Sequence, residues 1–232
     1  MKIAIMGAMS EEIEPILKEV KEYKVSKVAD NNYYECNYAG HDLVIAYSKI
    51  GKVFSALSAT IMCERFGAKC MLFSGVAGAI NPNLKIGDLI VATKLAQHDL
   101  DITAFGHEYG YVPEGSVYIE TDATLRALAQ KVAKEQNIEL KEGIIATGDQ
   151  FVADESRVEW IRDNFDADAL EMEGASVAVV CDALGVDLFV LRAISDSADM
   201  DAGFDFDEFL CSSAKVSASF ILKMVENIDS YK

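Results

Sequence analysis

Short apolar runs of strand length recur along the whole chain, separated by stretches with helical spacing. That alternation limits the fold to an α/β architecture in which helices cover both faces of a largely parallel sheet. The strand-like runs are Lys2–Met6, Cys70–Phe73, Leu89–Ala92, Ile144–Ala146, Ala167–Leu170 and Leu188–Ile194. Helices are expected after Gly7 to about Val20, over Val53–Phe66, Leu125–Glu135, Glu155–Asn164 and Gly174–Leu184, and from about Asp207 to Glu226. Tyr33–Tyr38 and Leu43–Tyr47 flank Ala39-Gly40-His41-Asp42 and read as a hairpin, which makes the sheet mixed. No linker, repeat or low-complexity tract interrupts the pattern, so residues 1–232 are expected to form one domain. A chain of this length buries roughly 70% of its unfolded surface and needs no disulfide or metal to hold it.

The formal net charge of −17 argues against nucleic acid or an anionic membrane as partner, since both attract cationic surfaces. No apolar stretch is long enough to span a membrane, and the apolar N-terminus meets Glu11 and Glu12 too soon for a secretory signal. Cys36, Cys63, Cys70, Cys181 and Cys211 are odd in number and lack C-x-x-C spacing; they read as small buried hydrophobes of a reducing compartment, the cytoplasm.

In such sheets ligands bind beyond the carboxyl ends of the strands, and four exits carry chemistry. Gly7-Ala8-Met9-Ser10-Glu11-Glu12 reads in two ways. Ser10 can cap a helix whose positive end suits the two acids. Alternatively Pro15 delays or bends the helix and leaves Glu12 in a turn aimed at a pocket. Ser74-Gly75-Val76-Ala77-Gly78 is either a tight turn or a place where a ligand approaches backbone; it matches neither G-x-G-x-x-G nor a P-loop. In Glu171-Met172-Glu173, extended geometry would put both carboxylates on one face, able to grip sugar hydroxyls; a solvated turn is the other reading. The fourth exit, Arg192-Ala193-Ile194-Ser195-Asp196, offers Asp196 as an acid. The acidic residues after it do not form a calcium loop: counted from Asp199, position 5 is Gly203 and position 12 is Leu210. His41, His98 and His107 lack zinc spacing, no G-x-S-x-G elbow is present, and no metal or organic cofactor is called for. The residues by themselves define an α/β enzyme that works with carboxylates.

Taken together, Gly7-Ala8-Met9 with Glu12, Ile50-Gly51-Lys52-Val53, Ala77-Gly78, Thr103-Ala104-Phe105-Gly106, Gly148-Asp149-Gln150-Phe151, Glu171-Met172-Glu173, Arg192-Ala193-Ile194-Ser195-Asp196 and Phe206-Asp207-Glu208-Phe209 resemble the 5′-methylthioadenosine/S-adenosylhomocysteine nucleosidases of the nucleoside phosphorylase superfamily. The resemblance implies a three-layer α/β/α fold, a homodimer, and hydrolysis of 5′-substituted adenosines to adenine and the free sugar. Substrates so implied are methylthioadenosine, adenosylhomocysteine, 5′-deoxyadenosine and aminodeoxyfutalosine, the last on a route to menaquinone. It makes Glu12 the base that activates water and Asp196 the acid at adenine N7, oriented by Ser195. Glu173 would hold the ribose hydroxyls, with Met172 lining the sugar and Ala77 and Gly78 beside it. Phe151 would stack on adenine and the Val152 backbone read its edge. Met9, Ile50 and Phe206 would line the 5′ pocket, closed by Phe105 and Pro113 of the partner subunit. Val76 and His107 stand where many members have serine and tyrosine.

Loss of adenine leaves positive charge on the sugar and negative charge on the base, which is why the reaction wants a carboxylate near the ring and an acid at N7. Asp196 must then be protonated near neutrality: from an ordinary value near 3.9 its pKa has to rise by about 3, roughly 4 kcal/mol of bias against its charged form. The competing reading is a phosphorolytic relative, which needs arginines around phosphate. Glu11 and Glu12 would repel that dianion. A binding protein without turnover would need no acid and base together.

Overall fold

The structure is a computed structural model that describes residues 1–197 and 202–231. Its strands join one sheet: β1 (Lys2–Gly7), β2 (Lys24–Val28), β3 (Asn31–Tyr38), β4 (His41–Tyr47), β5 (Ala68–Ala79), β6 (Leu89–Gln97), β7 (Tyr118–Glu120), β8 (Leu140–Thr147), β9 (Ala169–Glu171) and β10 (Asp187–Asp196). β4, β1, β5 and β10 run parallel side by side, the hairpin β3–β4 and then β2 extend one edge antiparallel, and β6, β8 and β9 lie on the other side. β10 also pairs with β6 and β9 with β5, so that end of the sheet closes on itself. The mixed sheet expected from the hairpin is present, and the parallel strands occupy its centre.

The helices are α1 (Ser10–Val20), α2 (Lys52–Thr60), α3 (Ala123–Glu135), α4 (Glu155–Phe165), α5 (Gly174–Leu184) and α6 (Ala202–Asn227). Alternate strand residues point to opposite faces. Ile3, Ile5, Leu72, Phe189 and Leu191 join the core under α1, α3 and α6, whereas Ala4, Met6, Phe73 and Val190 join the core under α2 and α5. Both faces are thereby buried, which is why these strands read as continuous apolar runs. No helix among the described residues is long and apolar enough to cross a membrane.

Several local expectations change. Ser74–Gly78 is not a turn, because β5 continues to Ala79; β10 lies beside it as far as Gly78 and β9 pairs with Gly78 and Ala79, so its small residues keep ladder partners. α1 begins at Ser10 and runs through Pro15, with Met9 rather than Ser10 at the cap position. The helix after residue 52 ends at Thr60 and passes into a π turn, Ile61–Arg65. α6 begins five residues earlier than its apolar spacing suggests, and β2 and β7 were not anticipated because they are short and half-exposed. Cys63, Cys70 and Cys181 are buried as expected, but Cys36 is partly exposed and Cys211 exposed; all five are free. Asp199 and Asp201 of the acidic run lie outside the described residues.

Candidate active site

The ends of β1, β5, β9 and β10 converge on a cavity of about 310 Å³, within the range of small-molecule sites. Its lining includes Met9, Glu12, Ile50, Ala77, Gly78, Phe151, Val152, Met172, Glu173, Ser195, Asp196 and Phe206. Every site residue expected from the same subunit therefore lines the cavity; Phe105 and Pro113, expected to come from the partner subunit, lie on an exposed segment outside its lining, and Phe105 is 81% exposed. Val76 also lines the cavity, whereas His107 stacks on Tyr111 at 4.4 Å between ring centroids. Ala8, Gln150, Leu170 and Glu171 complete the wall. Ala8 and Gln150 carried a signal in their Gly-Ala-Met and Gly-Asp-Gln-Phe settings; Leu170 carried none, since an apolar residue at a strand end looks like core.

Glu12 sits in the first turn of α1 and folds back over it. Its Oε2 accepts hydrogen bonds from the Ala8 and Met9 amides, at 2.5 and 2.9 Å, and its Oε1 accepts from the Val76 amide at 3.0 Å. Ser10 is not the cap and Pro15 does not delay the helix; Glu12 itself closes the capping box of α1 and also lines the cavity. Gly75 makes the approach possible, since a Cβ there would lie 2.7 Å from Glu12 Oε1. Burial pushes the Glu12 pKa above its ordinary value, against the Arg192 charge and the three amides. Such a carboxylate is ready to take a proton.

Glu171 and Glu173 do not form a pair on one extended face. The strand ends at Glu171 and Glu173 opens α5, which turns the two side chains to different partners. Arg192 Nη2 donates to Glu171 Oε2 at 2.6 Å, both side chains being fully buried, and Thr147 Oγ1 and the Glu173 and Gly174 amides also donate to Glu171. Arg192 lies over the Phe73 ring at 4.1 Å and donates to the Phe73 and Leu191 carbonyls, so its charge is spent inside the fold. Glu173 Oε1 accepts only the Gly51 amide, at 2.8 Å, of the hydrogen bonds resolved for it. Burial, then the charge of Glu171, push Glu173 up to about 8; Glu12 adds to this, while the Gly51 amide and Arg192 oppose it. Asp196 closes β10 beside Gly78, buried, with Ser195 Oγ donating to its Oδ2 at 2.9 Å. Phe151 and Phe206 meet edge to face at the mouth, 5.8 Å between centroids.

Among the described residues the cavity is lined by Glu12, Glu171, Glu173 and Asp196 and by no Lys, Arg or His, and no cluster of His, Cys, Asp or Glu is arranged to hold a metal. Buried carboxylates around a small, largely apolar cavity can stabilise positive charge that develops on a small neutral ligand. The Phosphorylase superfamily profile matches residues 2–226. An aminodeoxyfutalosine nucleosidase of Campylobacter jejuni is 61% identical over 98% of this chain and 100% of its own length. The crystal structure of a Campylobacter jejuni 5′-methylthioadenosine/S-adenosylhomocysteine nucleosidase superposes with a TM-score of 0.94 at 62% identity, covering 98% of this chain and 99% of that one. Native futalosine hydrolase of Helicobacter pylori gives a TM-score of 0.96 at 50% identity, with 97% of each chain covered. The chain belongs to the Phosphorylase superfamily and, within it, to the nucleosidases, which hydrolyse N-glycosidic bonds.

Proposed function

We propose that this chain, acting as one catalytic unit over residues 1–232, hydrolyses 5′-substituted adenosines to adenine and the free 5′-substituted ribose. Methylthioadenosine, adenosylhomocysteine and aminodeoxyfutalosine are the proposed substrates, the names carried by the relatives described above. Glu12 takes a proton from the attacking water, and Asp196 gives one to adenine N7. Glu173 holds the ribose hydroxyls above Met172, with Ala77 and Gly78 leaving room at the sugar. Phe151 and Val152 receive the base, and Met9, Ile50 and Phe206 receive the 5′ group. Ser195 orients Asp196. Positive charge developing on the sugar is met by buried carboxylates, where the low surrounding dielectric strengthens the attraction.

The observation that carries this reading is the absence of any basic side chain among the described residues lining the cavity, together with the engagement of Arg192 by Glu171. A phosphate dianion has no counter-charge there, whereas water needs only a base. Adenine release from 5′-methylthioadenosine is expected to proceed at the same rate in phosphate-free buffer and with phosphate added, with free methylthioribose as product. Release that requires phosphate and yields a sugar 1-phosphate would replace hydrolysis by phosphorolysis.

A homodimer is proposed on the apolar residues that α2 leaves in water. Val53 is 77% exposed, and Phe54, Leu57 and Ile50 beside it are also exposed; neighbouring exposed apolar side chains of this kind suit a protein interface. Phe105 and Pro113 would then cross to cover the partner's 5′ pocket. Sedimentation is expected to give twice the 25.3 kDa chain mass, and a monomer at micromolar concentration would remove this part. The proposed location is the cytoplasm.

A further inference from the structure

Behind the cavity lies a second polar cluster that the proposed chemistry does not use. Lys52, the first residue of α2, and Asp99, two residues beyond the end of β6, form an ion pair at 2.7 Å, with side chains only 18% and 16% exposed. Lys52 Nζ also donates to Gln97 Oε1 at 3.1 Å. The other oxygen of Asp99, Oδ2, accepts the Asp149 amide at 2.8 Å, and Asp149 Oδ1 accepts the Lys52 amide at 2.8 Å. Asp149 thus does for α2 what a capping residue would do, because Gly51 at the cap position has no side chain to offer. Gly51 takes φ of 100°, a conformation open to glycine, and a Cβ there would also lie 3.0 Å from Asp149 Oδ1.

The cycle joins two walls of the cavity. On one side Ile50 lines it and the Gly51 amide donates to Glu173; on the other, Gln150, Phe151 and Val152 follow Asp149 directly. We propose that Asp99, with Lys52 and Asp149, is a positioning residue: it fixes the Ile50–Lys52 turn and the Asp149–Val152 turn to the rigid end of β6, and so holds the Gly51 amide on the Glu173 carboxylate. The proposal rests on the nucleosidase reading for its kinetic consequences only. Burial pushes the Asp99 carboxyl up, but the Lys52 ammonium and the Asp149 amide outweigh it and, with the neighbouring His98, leave it below its ordinary value. Around neutrality the ion pair is therefore intact. Charge-assisted bonds of this kind hold geometry better than neutral ones, and small displacements of groups that bind a reacting substrate have large kinetic effects.

The test compares Asp99→Ala and Lys52→Met with the wild type by amide hydrogen exchange and by steady-state kinetics on 5′-methylthioadenosine. Exchange at the Lys52 and Asp149 amides is expected to rise about tenfold or more in both variants, and kcat/KM to fall about tenfold, chiefly through KM. The pH dependence of kcat/KM carries a second signature. The charged and titratable groups around Glu173 are Glu12 on α1, Glu171 at the end of β9, and Arg192 and Asp196 on β10. The variants leave all of these in place and loosen only the Gly51 amide, which holds the Glu173 pKa down. The limb due to Glu173 is therefore expected to move to higher pH. Asp99→Asn keeps one acceptor for two donors and should fall between wild type and alanine; it serves if the alanine variant does not fold. Unchanged exchange at the Lys52 and Asp149 amides overturns the clamp, as does a lowered Tm with KM and pH profile unmoved. If the wild type releases no adenine from any 5′-substituted adenosine, the functional reading fails, while hydrogen exchange still decides the clamp.

Discussion

Glu12→Gln and Asp196→Asn are each expected to lower kcat for adenine release by about 10²–10⁴-fold, the usual worth of a positioned proton transfer, with KM changed far less. Both substitutions keep side-chain size, so the cavity survives. Glutamine at residue 12 cannot take a proton from water, and its NH2 end must face backbone amides that now donate to Glu12. Loss of those bonds costs about 1–3 kcal/mol, partly offset because an isolated buried charge has gone. Asparagine at residue 196 keeps an acceptor for Ser195 Oγ but has no proton to give. Asp196→Asn is therefore expected to keep only the slow reaction that proceeds without a proton donor at N7. Activity within threefold of wild type for either variant, measured on protein shown to be folded, would remove that residue from the mechanism.

Glu173→Gln is expected to stabilise the protein while impairing it. The Glu173 pKa lies near 8 against an ordinary 4.5, because the ionised side chain is buried beside Glu171 and Glu12. Between those two values the folded state binds a proton that the unfolded chain has released, so stability falls as pH rises across the window and levels off above pH 8. Removing the charge removes the fall. A shift of this size corresponds to at most about 5 kcal/mol; since it is shared with Glu171 and Glu12, a rise in Tm of roughly 5–10 °C at pH 8 is expected for a chain of this length. The gain should shrink towards nothing at pH 4.5. Scans must be run at one protein concentration, since association stabilises by mass action. Equal Tm values for wild type and variant at pH 8 would contradict the placement of an ionisable Glu173 in a dry site.

The same carboxylate shows how far the sequence carried. Glu173 was singled out because two acids after an apolar strand are unusual, and the cavity includes it. Its pairing with Glu171 on one extended face is not what the structure shows. Period-2 geometry joins Glu171 to Glu173, but the strand ends at Glu171 and Glu173 sits at the cap position of α5, and Glu171 turns to Arg192, whose own place on β10 is distant in sequence. Likewise the small residues at Ser74–Gly78 allow either a turn or a close ligand approach; the segment is strand, and Val76, Ala77 and Gly78 line the cavity, because a local reading does not see the strands on either side. Lys52, Asp99 and Asp149 carried no signal as a group, because each is an ordinary surface residue type and their cycle closes only through three separated segments.

The sequence by itself determined the layers, the parallel centre of the sheet and the strand ends where chemistry would lie, because hydrophobic periodicity and strand exits are local properties of the chain. Tertiary structure alone decided which of the cavity's carboxylates is spent on Arg192, how Glu12 serves helix and pocket at once, and where burial moves the pKa values of Glu12 and Glu173. Those depend on desolvation and on charges brought within a few ångströms from elements far apart along the chain, and no spacing within a single segment records them.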